Sequence, residues 1–122
     1  MDKDNRIAID LLSLKEGNEY DLDFELTEKE MKYFPNLLSL NDSVFLLDVI
    51  ALGALTTISI SVNGEITLLD AHDQKEREYH LDDSVELTIS TEDEENSDLL
   101  PDEDGLYDLR GSILALLFNA IP

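Results

Sequence analysis

The side chains able to do chemistry in this chain are two histidines, His72 and His80, and 29 aspartates and glutamates; cysteine is absent. Without a thiol there is no disulfide, no thiolate nucleophile and no thiolate metal ligand. A Ser–His–acid mechanism needs an imidazole against a serine hydroxyl, and no G-x-S-x-G elbow is present to present that serine. Both histidines therefore read as ordinary surface or strand residues. Two carboxylates can act as general acid and base, but with 29 acids such pairs arise everywhere, and a solvated face is the expectation. A calcium loop of the EF-hand type wants acids at alternate positions, then glycine, then a closing glutamate. From Asp93 the order is Asp93, Glu95, Ser97 and then Asp98 where glycine is required, and the frame from Asp98 fails too. The glycines (Gly17, Gly53, Gly64, Gly105, Gly111) are too scattered for a phosphate-binding loop and read as turn and cap residues. The expectation is a non-enzymatic chain with no catalytic residues, no metal and no cofactor.

Charge points elsewhere. Eight lysines and arginines face the 29 acids, a formal net charge of -21 on 122 residues. Lys and Arg neutralising phosphates supply most nucleic-acid affinity, so direct nucleic-acid binding is not expected. The same charge is repelled by anionic lipid, and the longest apolar run, Val44 to Leu55, is interrupted by Asp48 and Gly53, so no span is long enough to cross a bilayer. The polar start, Met1 to Arg6, does not read as a signal peptide, and a cytoplasmic location is expected. A basic protein partner is the natural complement. Apolar residues form 43% of the chain, enough for one folded domain over 1–122.

The elements that must position these groups are legible in part. Ile7 to Leu14 fits either a short helix or an extended arm, closed by Gly17. Tyr20, Leu22, Phe24 and Leu26 alternate with acids, predicting a half-buried strand. Thr27-Glu28-Lys29-Glu30 has the form of a capping box and predicts a short helix that stops near Pro35. Val44 to Leu52 predicts a buried strand. Thr56 to Val62 alternates, with Ile58, Ile60 and Val62 on one face, and Asn63-Gly64 carries the type I′ hairpin signal, with Ile66 and Leu68 beginning the return strand. Glu78 to Leu81 and Val85 to Ile89 predict two further strands, split at Asp82-Asp83. The stretch 91–104 holds eight acids in fourteen residues and Pro101, predicting a mobile loop. A helix from Leu109 to Ala120 closes the chain, with Asp108 suited to its N-cap. The fold class is α+β: an antiparallel sheet or partly closed barrel with a small helix after Thr27 and a C-terminal helix.

Two surfaces follow as candidates for the partner. One is the acidic loop (Glu92, Asp93, Glu94, Glu95, Asp98, Asp102, Glu103, Asp104), which either maintains solubility or grips a basic protein. The other is the surplus apolar side of the last helix, with Ile113, Leu117 and Phe118, which packs in the core or faces a partner.

The segment Ile58 to Leu68 around Gly64, similar to the family's central hairpin, the acidic stretch behind it, and the ending Tyr107-Asp108-Leu109 with an apolar helix and Pro122 together resemble the bacterial YceD family, the large ribosomal RNA subunit accumulation proteins. The resemblance covers most of the chain, and Gly64, Asp108, Leu109 and Pro122 are its signature positions. It implies a cytoplasmic, non-enzymatic factor that supports 23S ribosomal RNA levels and is linked to ribosome biogenesis. Many members carry a Cys-x-Arg-Cys-like element after this segment; here the place holds Asp70-Ala71-His72-Asp73, so any thiol role is absent, and Asp70, His72 and Asp73 form either a turn or a hard-metal site. Joined to the charge, the resemblance implies action through a basic ribosomal protein or assembly factor. Two rival readings are an acidic nucleic-acid mimic, which needs carboxylates on a continuous folded surface, and a hydrolase, which needs a pocket joining a histidine to several acids.

Overall fold

The computed structural model describes residues 6–122, apart from the side chain of Asn41. The polar start at Met1–Asn5, on which the localisation expectation partly rests, lies outside the described residues. The elements in order are β1 (Ala8–Ile9), a 3-10 turn (Leu11–Ser13), β2 (Glu19–Leu22), α1 (Glu28–Met31), β3 (Leu37–Ala51), β4 (Leu55–Leu69), β5 (Glu76–Ser90), a second 3-10 turn (Glu94–Asn96), β6 (Tyr107–Asp108) and α2 (Arg110–Ala120). The architecture is α+β. An antiparallel sheet in the order β2-β3-β4-β5 stands beside a two-stranded ribbon of β1 and β6.

The sheet is open, not the partly closed barrel that was one of two expectations. Closure would require β2 to pair with β5. Instead β2 is only four residues long, and the end of β5 takes the following loop along its edge: Asp98 N donates to the Thr88 carbonyl and Asp98 Oδ2 accepts from Thr88 N.

The most marked departure concerns Asn63-Gly64. These residues lie in the middle of the fifteen-residue β4, where Gly64 faces Ser43 on β3 and Leu81 on β5. The true reversals are at Leu52–Ala54 and at Asp70–Lys75. Glycine is required at 64 by close approach. A Cβ there would sit 2.6 Å from Ser43 Cα and nearer still to the Asp42 carbonyl oxygen, and φ is +152°. The register of β3 shifts just before this point, between Ser39 and Asp42. β5 is likewise continuous through Asp82-Asp83 rather than two strands. Asp83 falls on the apolar parity opposite Val62, but the edge strand lets its carboxylate reach water.

One face of the sheet carries the core. Phe45, Leu47 and Val49 of β3, Ile58, Ile60, Val62 and Ile66 of β4, and Leu81, Leu87 and Ile89 of β5 are buried there, with Leu109, Ile113, Leu116 and Leu117 packed in the same cluster. β3 is therefore buried on one side only, since Val44 and Ile50 are half exposed. The capping box forms as expected. Thr27 Oγ1 accepts from Glu30 N and Glu30 Oε1 accepts from Thr27 N. The arm at Ile7–Leu14 combines both expectations, a strand pair and one 3-10 turn.

Candidate functional site

The strand registers place the outer face of the sheet in rows that cross it. Glu19 of β2 faces Asp48 of β3, which faces Ser59 of β4, which faces Glu86 of β5. The next row is Asp21, Leu46, Ser61 and Ser84, followed by Val44, Asn63 and Asp82, and then by Asp42, Glu65 and His80. Neighbouring strands lie about 4.8 Å apart and alternate residues of one strand about 6.7 Å apart. These rows thus hold Glu19, Asp21, Asp42, Asp48, Glu65, Asp82 and Glu86 on one continuous folded surface, with no lysine or arginine. No residue of the rows is buried, whereas Phe45, Leu47, Ile58, Ile60, Val62, Leu81 and Leu87, next to them in sequence and on the other face, belong to the core. An antiparallel sheet can leave one side to water in this way.

Electrostatics on that face are unrelieved. Like charges directly opposite across strands repel. The Asp48 carboxylate beside Glu19 raises the Glu19 carboxyl above its ordinary value, with partial burial, a hydrogen bond to Asp48 and Asp21 adding in the same direction. His80 Nδ1 lies 2.8 Å from Glu65 Oε1, the one pairing of imidazole and carboxylate in the rows.

The described lysines and arginines sit elsewhere, and the arginines are engaged. Arg6 pairs with Asp102 at 2.5 Å. Arg77 bonds Asp70 at 3.1 Å and also Asp73. Arg110 Nε donates to Glu30 Oε2 at 2.8 Å, its Nη2 donates to Glu30 Oε1 and to the Glu25 carbonyl, and its guanidinium stacks 4.8 Å from the Phe24 ring centroid. This fork holds the Glu30 carboxyl down at about 2, Arg110 first among the causes, and raises the Arg110 guanidinium in turn. Lys15, Lys29, Lys32 and Lys75 are exposed; Lys29 and Lys32 sit together on and just after α1, beside Glu28 and Glu30, whereas Lys15 and Lys75 lie on two other stretches, and none stands in the outer-face rows.

The acidic stretch 91–104 is a loop, and its carboxylates divide into two groups. Asp93 accepts from Glu95 N, Asp98 fastens Thr88, and Asp102 accepts from Asp104 N and Leu106 N besides pairing with Arg6. Asp98 ties the loop to β5, Asp102 ties it to Arg6 ahead of the arm, and Asp93 caps the turn within it, where a mobile loop was expected. Glu92, Glu94, Glu95, Glu103 and Asp104 are exposed at the surface. The helix candidates divide as well. Ile113 and Leu117 have no exposed surface and belong to the core, which corrects their assignment to a partner surface, whereas Phe118 is 67% exposed. Phe118 tilts against Phe34 at 6.3 Å between ring centroids, and shallow clefts beside it are lined by Tyr33, Leu114, Ile121 and Pro122.

The signature positions have structural work. Asp108 Oδ1 accepts from Ile7 N and Arg110 N, tying the arm to the start of α2, while Leu109 is fully buried. Asp70, His72 and Asp73 make a turn: Asp70 accepts from His72 N and Asp73 accepts from Lys75 N, and the His72 bond and then Arg77 lower the Asp70 carboxyl. Among the described residues no group of three His, Asp or Glu side chains is placed to hold a metal ion. No helix among the described residues is long and apolar enough to cross a membrane. The alternation from Tyr20 to Leu26 already marks the outer face of β2 as negative, but its continuation onto β3, β4 and β5 went unrecognised in the sequence because that juxtaposition depends on register. No family model, curated protein or solved structure matches the chain.

Proposed function

We propose that this chain is a cytoplasmic, non-enzymatic factor in ribosome biogenesis that supports 23S ribosomal RNA accumulation by binding a basic protein, either a ribosomal protein or an assembly factor. The observation that carries the reading is the separation of charge. The arginines of the described residues are spent in internal ion pairs, and carboxylates cover an uncovered sheet face. A phosphate backbone finds no cationic track there, while a cationic protein finds a field that speeds encounter and selects it. The assignment to ribosomal RNA rests on the resemblance of the 58–68 segment and the 107–122 ending. Removing the protein from the cell that makes it should lower 23S relative to 16S ribosomal RNA. Unchanged ratios would refute the biogenesis role.

One observation favours a second reading, an acidic nucleic-acid mimic that occupies the basic groove of a nucleic-acid-binding protein. Its requirement is a continuous folded carboxylate surface, and the rows across β2 to β5 supply one. Competition separates the two: a mimic is displaced from its target by nucleic acid, whereas an adaptor remains bound.

A further inference from the structure

The outer face of the sheet is not uniformly polar. Val44, 53% exposed, and half-buried Leu46 stand in the outer-face rows of β3, and beyond Asp48 the 50% exposed Ile50 follows where the β3–β4 register shifts between Val49 and Ala51. This apolar rib runs through the carboxylate rows: Glu19 and Asp21 lie on one side of it, and on the other Glu86 lies beyond Ser59 and Asp82 beyond Asn63. Solubility alone does not call for exposed β-branched residues on a strand whose outer face is otherwise acidic. We propose that this face, and not the acidic loop, is the docking surface, and that its occupant is a cationic amphipathic segment of a protein, with apolar side chains seated on the β3 rib and Lys or Arg reaching the acids on both flanks.

Charge selects that occupant. A second copy would oppose one carboxylate face to another, and nucleic acid or an anionic lipid surface would meet the same repulsion. The rib argues against a purely ionic ligand, because apolar area is removed from water only by an apolar partner. The loop is the weaker candidate, since Asp93, Asp98 and Asp102 are committed to internal bonds. The inference rests on the basic-partner reading and adds its location and chemistry.

The test uses the isotope-labelled full chain and two synthetic peptides of equal charge, one of lysine and leucine with a single apolar face, the other of lysine and serine. Backbone amide shifts in NMR titrations report where each binds. The lysine–leucine peptide should bind at least roughly tenfold more tightly and move amides of β2, β3 and the centre of β4. Val44→Thr with Ile50→Thr, which keeps β-branched residues on the strand, should erase that advantage. Glu19→Gln with Asp48→Asn should weaken both peptides about fivefold, the scale of an exposed ion pair near 1 kcal/mol. A chain with Glu92, Glu94 and Glu95 changed to Gln should bind as the parent does. Shifts confined to 92–104 or to α2, or equal affinity for the two peptides, would overturn the docking surface while leaving the basic-partner reading standing. Failure of both peptides to bind would overturn the two together.

Discussion

Replacing Glu30 by glutamine tests the tie between α1 and α2. In the folded chain Arg110 reaches Glu30 from eighty residues away in sequence, and both side chains are only 13% exposed. The carboxyl lies at about 2 instead of 4.5. At about 1.4 kcal/mol per pH unit that difference corresponds to roughly 3 kcal/mol. Because the folded value is the lower one, the stabilisation is complete above the unfolded value and is lost as pH falls from 4.5 towards 2. Glutamine keeps the reciprocal capping bond, since the box accepts Glu or Gln, so Glu30→Gln removes the charge and little else. Urea unfolding followed by circular dichroism should show the variant about 2–3 kcal/mol less stable at pH 7. The gap should shrink below about 1 kcal/mol near pH 2.5, where the carboxyl of the unfolded chain is protonated and that of the folded chain is beginning to take up its proton. Arg110→Met should cost more, about 3–5 kcal/mol at pH 7, because it strands a buried carboxylate and removes the cation from the Phe24 ring. A Glu30→Gln deficit that stays constant from pH 7 to pH 2.5 would refute the reasoning.

Gly64→Ala should cost about 3 kcal/mol or more, because the added methyl meets β3 backbone on both sides of the Asp42–Ser43 peptide; Asn63→Thr should be nearly neutral, as suits a strand and not a left-handed turn, and denaturant midpoints of the two decide between strand and hairpin. Glu19→Gln should raise the melting temperature at pH 7, since the raised carboxyl marks repulsion from Asp48 that is present above its folded value and vanishes as it protonates in acid; a thermal gain that persists at pH 3 would contradict that cause. Phe118→Ser should cost under about 1 kcal/mol while Leu117→Ala costs about 3, a contrast that calorimetry can read and that follows from 67% against 0% exposure.

Local signals carried the parts of this fold that depend on neighbours in sequence. Thr27 and Glu30 announced a helix start because both partners of the capping box lie within one turn. The last helix was legible from its apolar stripe, and the loop at 91–104 from its charge. The hairpin at Asn63-Gly64 was misread because a strong two-residue signal was weighed above parity. Ile58, Ile60, Val62, Ile66 and Leu68 keep one period across the glycine, whereas a two-residue turn there would have paired Ile66 with Ser61 and put it among the serines. Asp82-Asp83 misled in the same way, since Leu81, Val85, Leu87 and Ile89 also keep one parity through it. Only the β2 edge of the acidic face was legible, from the acids that alternate with Tyr20 and Leu22; its extent across the sheet was not. Glu19 meets Asp48, and Asp48 meets Ser59, only once three strands are in register, and nothing within a short window fixes that register. The Arg110–Glu30 tie escaped for the same reason.

The account turns on whether these carboxylates choose cationic protein over RNA. Equilibrium binding of the purified full chain to 23S ribosomal RNA and, separately, to purified basic large-subunit proteins, each across a series of salt concentrations, tests this directly. The account predicts no saturable binding to the RNA, and micromolar or tighter binding to at least one basic protein that weakens as salt screens the charges. Tight, saturable binding of the RNA by this chain alone, with none of the basic proteins retained, would contradict it.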